Sequence, residues 1–147
     1  MLSMENLLVV SIEQAVAAPI CSMRLADAGA RVIKVDPRGG ETARRYDKDI
    51  IGESAYFVSL NRGKQSLELS LRDDQDLKLL KCILERADIF IRNTAPGTMD
   101  SVGLKSDLLL DIYKRLIVVD IFGYGQDSDY RDMKAYDLLI QAEGGLC

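Results

Sequence analysis

The chain contains no histidine. Without an imidazole there is no Ser–His or Cys–His dyad and no ordinary zinc site. Any proton transfer by these residues falls to carboxylates, lysine, tyrosine or cysteine. Cysteine is scarce too: the 3 residues Cys21, Cys82 and Cys147 are too widely spaced for a disulfide framework or a metal motif. Cys21 and Cys82 fall in helical patterns and read as buried small hydrophobes, so a reduced, cytoplasmic setting is expected. No run approaches the roughly 18 apolar residues of a membrane span. The N-terminal M-L-S-M-E-N has no basic region leading into an apolar one, so no secretory leader is expected. A formal charge of −4 and a pI near 4.9 argue against nucleic acid as the main ligand, which needs a net basic face. Repeats, low-complexity segments and an internal linker are absent as well. The 147 residues, 48% of them hydrophobic, therefore read as a single α/β domain over 1–147 with a fair core.

What is present is concentrated in residues 17–36, A-A-P-I-C-S-M-R-L-A-D-A-G-A-R-V-I-K-V-D. They follow a continuous apolar run, L-L-V-V-S-I at 7–12, which suits a strand covered on both faces, as in a parallel sheet. Pro19 sits where a first helical turn tolerates it. Met23, Leu25, Ala26 and Ala28 give the helix an apolar side, and Gly29 can end it in a left-handed conformation. Residues 31–35 (R-V-I-K-V) make the next strand, closing a β-α-β unit at Asp36. The chain opens like a nucleotide or coenzyme binder.

The pattern repeats further on. Residues 37–52 read as a long polar loop, of the kind that tends to be functional, and 54–60 form a short apolar run of either type. S-L-E-L-S-L at 66–71 alternates like a half-exposed strand after the turn N-R-G-K. An amphipathic helix spans 73–86, with Asp73 and Asp74 at its positive end. Strands are expected at 87–91 and 116–121, helices at 105–114 and 135–143, and a short helix restarting at A-P-G, 95–97. Alternating helices and apolar strands imply an α/β, Rossmann-like, doubly wound and mostly parallel sheet.

In such a sheet, ligands bind beyond the carboxyl ends of the strands, where residues 13–18, 36–40 and 93–97 fall. The small residues at 15–17 admit two readings. Taken alone, they favour close helix–sheet packing; the other is close approach of a ligand to backbone amides at a helix start. Arg38 offers a guanidinium fork suited to phosphate, whereas Lys34 reads as a solvated charge at a strand end. Arg72 precedes a helix start, a poor place for a cation by the dipole argument, which favours a ligand role. G-Y-G-Q at 123–126 lacks the third glycine of a dinucleotide fingerprint, so a nicotinamide binder is disfavoured.

Five segments in order carry a resemblance: V-V-S-I-E-Q-A-V-A-A-P-I-C-S-M-R-L-A-D-A-G-A-R-V-I-K-V-D, S-A-Y-F-V-S-L-N-R-G-K-Q-S-L-E-L-S-L, A-D-I-F-I-R-N-T-A-P-G-T-M, G-Y-G-Q-D-S-D-Y-R-D and A-Y-D-L-L-I-Q-A-E-G-G-L. Together they resemble the first part of the class III CoA-transferases, the family of formyl-CoA transferase and the carnitine and bile-acid CoA-transferases. The resemblance covers nearly the whole chain.

It implies that Ala15, Val16 and Ala17 lie against coenzyme A, reversing the packing reading. It implies that Arg38 contacts a phosphate, although family members often carry the basic residue one position earlier, where this chain has Pro37. Leu69 and Arg72 match the adenine pocket and its basic side chain. Asn93, Thr94 and Ala95 match coenzyme contacts, with Thr94 replacing an aromatic residue. Ser101 replaces an arginine found in some members, and Arg92 is the candidate to compensate. Lys134 matches a coenzyme contact, and Tyr136 and Asp137 match neighbours of the reacting acyl group. The related racemases place a histidine at the Tyr136 position, so that branch is excluded.

The implied reaction moves CoA from an acyl-CoA to a carboxylic acid by covalent carboxylate catalysis. Short dicarboxylates such as mesaconate or succinate are the expected acids. An aspartate attacks the thioester to give a mixed anhydride and CoA thiolate, the thiolate returns to form an aspartyl thioester and release the donor acid, and the acceptor acid then takes the CoA. Coenzyme A is thus a substrate, with no covalently bound cofactor. The nucleophile is expected beyond Cys147, so these residues alone should be inactive. The full-length family implies a homodimer, and this chain a partner carrying the missing part. The alternative is a non-catalytic CoA-binding or partner-binding module of the same fold.

Overall fold

The computed structural model describes residues 3–147; Met1 and Leu2, the first residues of the M-L-S-M-E-N segment, lie outside them. Five strands, β1 (Leu8–Ile12), β2 (Arg31–Asp36), β3 (Lys64–Glu68), β4 (Ile89–Arg92) and β5 (Ile117–Asp120), form one sheet in the order β3-β2-β1-β4-β5. Every pairing in it is parallel. Around it lie α1 (Ala17–Asp27), α2 (Ala55–Asn61), α3 (Asp74–Leu84), α4 (Ser106–Ile112) and α5 (Asp137–Glu143). This is the expected α/β architecture.

Alternation along the strands splits the core between two faces. Val9, Val32 and Ile91 pack with Ala18 of α1 on one face. Val10, Val35 and Phe90 pack with Leu80 and Leu84 of α3 and Leu109 of α4 on the other. Full burial of such side chains is worth roughly 1.5–3 kcal/mol each, which explains why the central strands are apolar runs rather than alternations. The chain leaves β1 toward β2 on one side and returns to β4 on the other. That reversal opens a crevice beyond the carboxyl ends of β1 and β4.

Local chemistry sets the helix boundaries. α1 begins at Ala17 with Pro19 in its first turn and ends before Gly29, whose φ is 102°. The Asp73 carboxylate accepts from the Gln75 and Asp76 amides at 2.9 and 3.1 Å and caps α3. The ambiguous run at 54–60 is helical: the Ser54 hydroxyl accepts from the Phe57 amide at 3.2 Å. Ser54 in turn donates to Asp47, which also accepts from the Ala55 amide at 2.7 Å. Those backbone donors hold the Asp47 carboxyl below its ordinary range.

Two expectations are corrected. Residues 95–97 start no helix: they make a turn closed by the Thr98 amide on the Ala95 carbonyl, with Gly97 at φ 74°, and helical structure resumes only as a 3-10 turn at Asp100–Val102. A residue in the left-handed region interrupts helix propagation. Cys82 is exposed and Cys21 half-buried, so neither is a fully buried hydrophobe. Leu80 and Leu84 mark the inward side of α3, and Cys82, two residues from each, points away. Among the described residues, no helix is long and apolar enough to cross a membrane.

Candidate functional site

The crevice is built from the loops that leave the carboxyl ends of β1, β2, β3 and β4. The loop after β1 is the most constrained. Gln14 and Asn93 exchange two hydrogen bonds: the Gln14 amide donates to Asn93 Oδ1 at 2.9 Å, and Asn93 Nδ2 donates to the Gln14 carbonyl at 2.8 Å. The next residue, Ala15, has φ 60°, a left-handed conformation unusual for a side chain with a Cβ. Its amide donates to Glu41 Oε2 at 3.0 Å. Val16 then starts α1, and among the described residues no side chain caps that start. The exposed Ala17 therefore carries a helix-start amide without a side-chain cap at the crevice, whereas Ala18 is fully buried.

Beneath this loop lies a network of charge that the sequence reading missed. Lys34 is 2% exposed and pairs with Glu41 Oε1; it also donates to Asn61 Oδ1 at 3.1 Å and lies 3.6 Å from Asp36. Lys34 is thus a buried strut, not the solvated charge expected at a strand end. Lys64 donates to Glu13 Oε1 at 2.6 Å, to Asn61 Oδ1 at 3.0 Å and to the Pro19 carbonyl at 3.0 Å. Burial pushes the Lys64 ammonium below its ordinary pKa, against the opposing pull of Glu13. Ser22 donates to the other Glu13 oxygen at 2.6 Å. Arg44 reaches Asp36 at 3.3 Å and lies over the Phe57 ring, 4.0 Å from its centroid. A cavity of about 130 Å³ lies among Lys34, Asp36, Arg44, Phe57, Asn61 and Lys64. Asp36 Oδ1, 3.6 Å from the Lys34 ammonium, and Arg44 Nε are buried without a hydrogen-bond partner. The space accommodates a few water molecules with partners on several sides.

The signal for this network was present. Val32, Lys34 and Asp36 share one face of β2 by period-two alternation, and Val32 is core. Two charges at inward positions of a strand demand partners.

The other expected residues fall as follows. Arg38 is exposed and pairs with Asp76 at 3.2 Å. Asp76 also accepts from the Ser70 amide at 2.8 Å, and that bond, then Arg38, holds its carboxyl below the ordinary range. Leu69 is buried, its amide bonded to the Asp36 carbonyl at 3.0 Å. Arg38, Leu69 and Arg72 therefore border one stretch of the crevice, and Arg72 is exposed there. Asn93 acts on the β1 loop through its side chain, with Thr94 half-buried and Ala95 exposed beside it.

Arg92 does not compensate for the missing arginine at Ser101. It is 5% exposed, turned under the sheet, and tied to Asp120, the Leu104 carbonyl and the Ser106 hydroxyl. The same contacts occupy Asp120, whose carboxylate pairs with Arg92 and accepts from the Ser106 hydroxyl. Lys134, Tyr136 and Asp137 stand apart from the clamped loops. All are exposed, and among the described residues no hydrogen bond or ion pair ties them to those loops. Asp137 is nonetheless near enough to Tyr56 to help burial raise its phenol pKa. Among the described residues, no cluster of three or more His, Cys, Asp or Glu side chains could hold a metal ion.

The sequence profile described as CoA-transferase family III matches residues 4–147. The acetyl-CoA:oxalate CoA-transferase of Acetobacter aceti is 35% identical over 143 residues, covering 97% of this chain and 37% of that protein. The succinyl-CoA:mesaconate CoA-transferase of Haloarcula marismortui is 36% identical over 153 residues, covering 98% of this chain and 39% of that protein. A crystal structure of a CAIB/BAIF family protein from Brucella suis superposes with a TM-score of 0.90 at 34% identity, covering 96% of this chain and 39% of that one. The chain thus spans little more than a third of the length of the relatives it matches.

Proposed function

Since the chain belongs to CoA-transferase family III, we propose that residues 3–147 form the coenzyme A cradle of an enzyme that moves CoA between an acyl-CoA and a carboxylic acid. The observation that supports this best is the convergence of four loops at one edge of the sheet, with α1 presenting the uncapped Ala17 amide and Arg38 and Arg72 exposed alongside. Free helix-start amides and guanidinium groups suit the phosphates of CoA. Ala15, Val16, Ala17, Leu69, Asn93, Thr94, Ala95 and Lys134 complete the contact set. Tyr136 and Asp137 stand at the acyl end.

Within these residues the cradle binds but does not turn over. The family resemblance puts the attacking carboxylate beyond residue 147, while Asp36 and Asp120 are held by cations. Chain completion, by further residues or a second polypeptide, has a natural surface. Ile117 on the edge strand β5 is 59% exposed, and α5 has no buried residue, leaving Leu138 69% exposed. Free thiols at Cys21, Cys82 and Cys147 support a cytoplasmic setting. The kinship with oxalate and mesaconate transferases supports small dicarboxylates as the acids exchanged.

Thermal melting with added CoA tests the cradle, because a ligand bound only by the folded state raises the melting temperature by mass action. The expected result is a saturable rise with CoA and a smaller one with 3′-dephospho-CoA. No rise at millimolar CoA contradicts the proposal.

A further inference from the structure

We propose that Glu41 is a positioning residue: with Lys34 as its buried anchor, it locks Ala15 in the left-handed conformation that aims the start of α1 into the crevice. This rests on the coenzyme reading above for its functional consequence, but not for its geometry. The Glu41 carboxylate is used at both oxygens. Oε1 takes the Lys34 ammonium and Oε2 takes the Ala15 amide at 3.0 Å. Lys34 cannot drift, because its ammonium also donates to Asn61 and lies 5.0 Å from the centre of the Phe57 ring. Glu41 itself is 5% exposed, so its contacts form out of competition with water.

The loop is clamped ahead of Ala15, at Glu13 by Lys64 and Ser22 and at Gln14 by Asn93. Those bonds fix where the loop begins. Among the described residues, the bond to Glu41 is the one that acts on the strained residue itself, and a residue at φ 60° relaxes once its fixing contact is lost. Relaxation there would swing the exposed Ala17 amide away from the direction set by α1. An ion pair serving stability alone would be indifferent to whether residue 41 reaches Ala15, and this separates the two roles.

Two paired replacements isolate that contact, both removing the buried charges together. Lys34→Met with Glu41→Gln keeps an oxygen able to accept from Ala15; Lys34→Met with Glu41→Leu does not. Replacing both members of a buried pair is often tolerated, unlike removing one. Two readouts are taken: hydrogen exchange of the Ala15 amide, and CoA affinity by calorimetry. In the unaltered protein the Ala15 amide is expected to be protected. The glutamine pair should keep that protection and bind CoA within about twofold, while the leucine pair should lose it and bind about tenfold more weakly, the effect of freeing a left-handed residue. Retention of both protection and affinity in the leucine pair overturns the proposal. So does an Ala15 amide that exchanges freely in the unaltered protein, a result independent of whether either pair folds. If the unaltered protein gives no heat with CoA, the coenzyme reading falls, while the exchange data still decide the lock.

Discussion

The two ends of the sheet invert the usual rule of burial. Around β1, β2 and β3, Glu13, Lys34, Asp36 and Glu41 are at most 5% exposed. Around β5 and α5, Ile117, Leu138 and Tyr136 are all at least 59% exposed. Buried charges held by ion pairs and hydrogen bonds cost stability yet fix geometry, whereas exposed apolar side chains in quantity mark candidate interaction surface. The first region reads as a finished site, the second as an unfinished interface. The free energy of the fold should be distributed accordingly.

The largest contrast comes from removing one buried charge. Lys34→Ala leaves Glu41 buried without its cation and should destabilise by about 3–5 kcal/mol in urea titration; a loss under about 1 kcal/mol would show that the pair is solvated. Next comes the cap of α3. Asp73→Ala removes the acceptor for two amides and should cost about 1 kcal/mol by the same measurement. Smaller and confined to acid is Asp76→Asn. Asp76 titrates lower in the folded chain than its free value of 3.8, so it contributes stability above that pH that is lost as pH falls through the folded value. The unaltered protein should therefore lose stability more steeply below about pH 3.8 than the variant does; parallel acid limbs would contradict this. The smallest effect is expected at the other end. Ile117→Ala should shift stability by less than about 0.5 kcal/mol, as for exposed positions generally, and a core-sized loss would mean that β5 is already covered.

The sequence made the sheet legible because its central strands are buried on both faces. V-V-S-I in β1 and I-F-I in β4 are nearly unbroken apolar runs, and Gly29 and Asp73 are local signals that hold without tertiary context. Legibility failed where partners come from elsewhere in the chain. Lys34 looked solvated because its anchors, Glu41 and Asn61, come from a loop and a short helix whose place could not be read from period alone. Arg92 looked like a phosphate ligand because a strand's carboxyl end favours that reading, but alternation turns its side chain under the sheet to Asp120. α2 escaped assignment because a 7-residue helix carries too few turns for periodicity, and its true signal was the Ser54 cap. The loops of the candidate site, by contrast, lie where the parallel strands end, a position that the strand pattern alone indicates.

Mapping amide shifts by NMR as CoA is added tests the cradle most directly. The account predicts perturbations at residues 15–18, 38, 69–72 and 93–95, saturating together as one site. Absence of saturable shifts there would contradict it. So would shifts centred on the groove of about 530 Å³ at the opposite ends of the strands, lined by Leu8, Arg31, Ile33, Cys82 and Arg86.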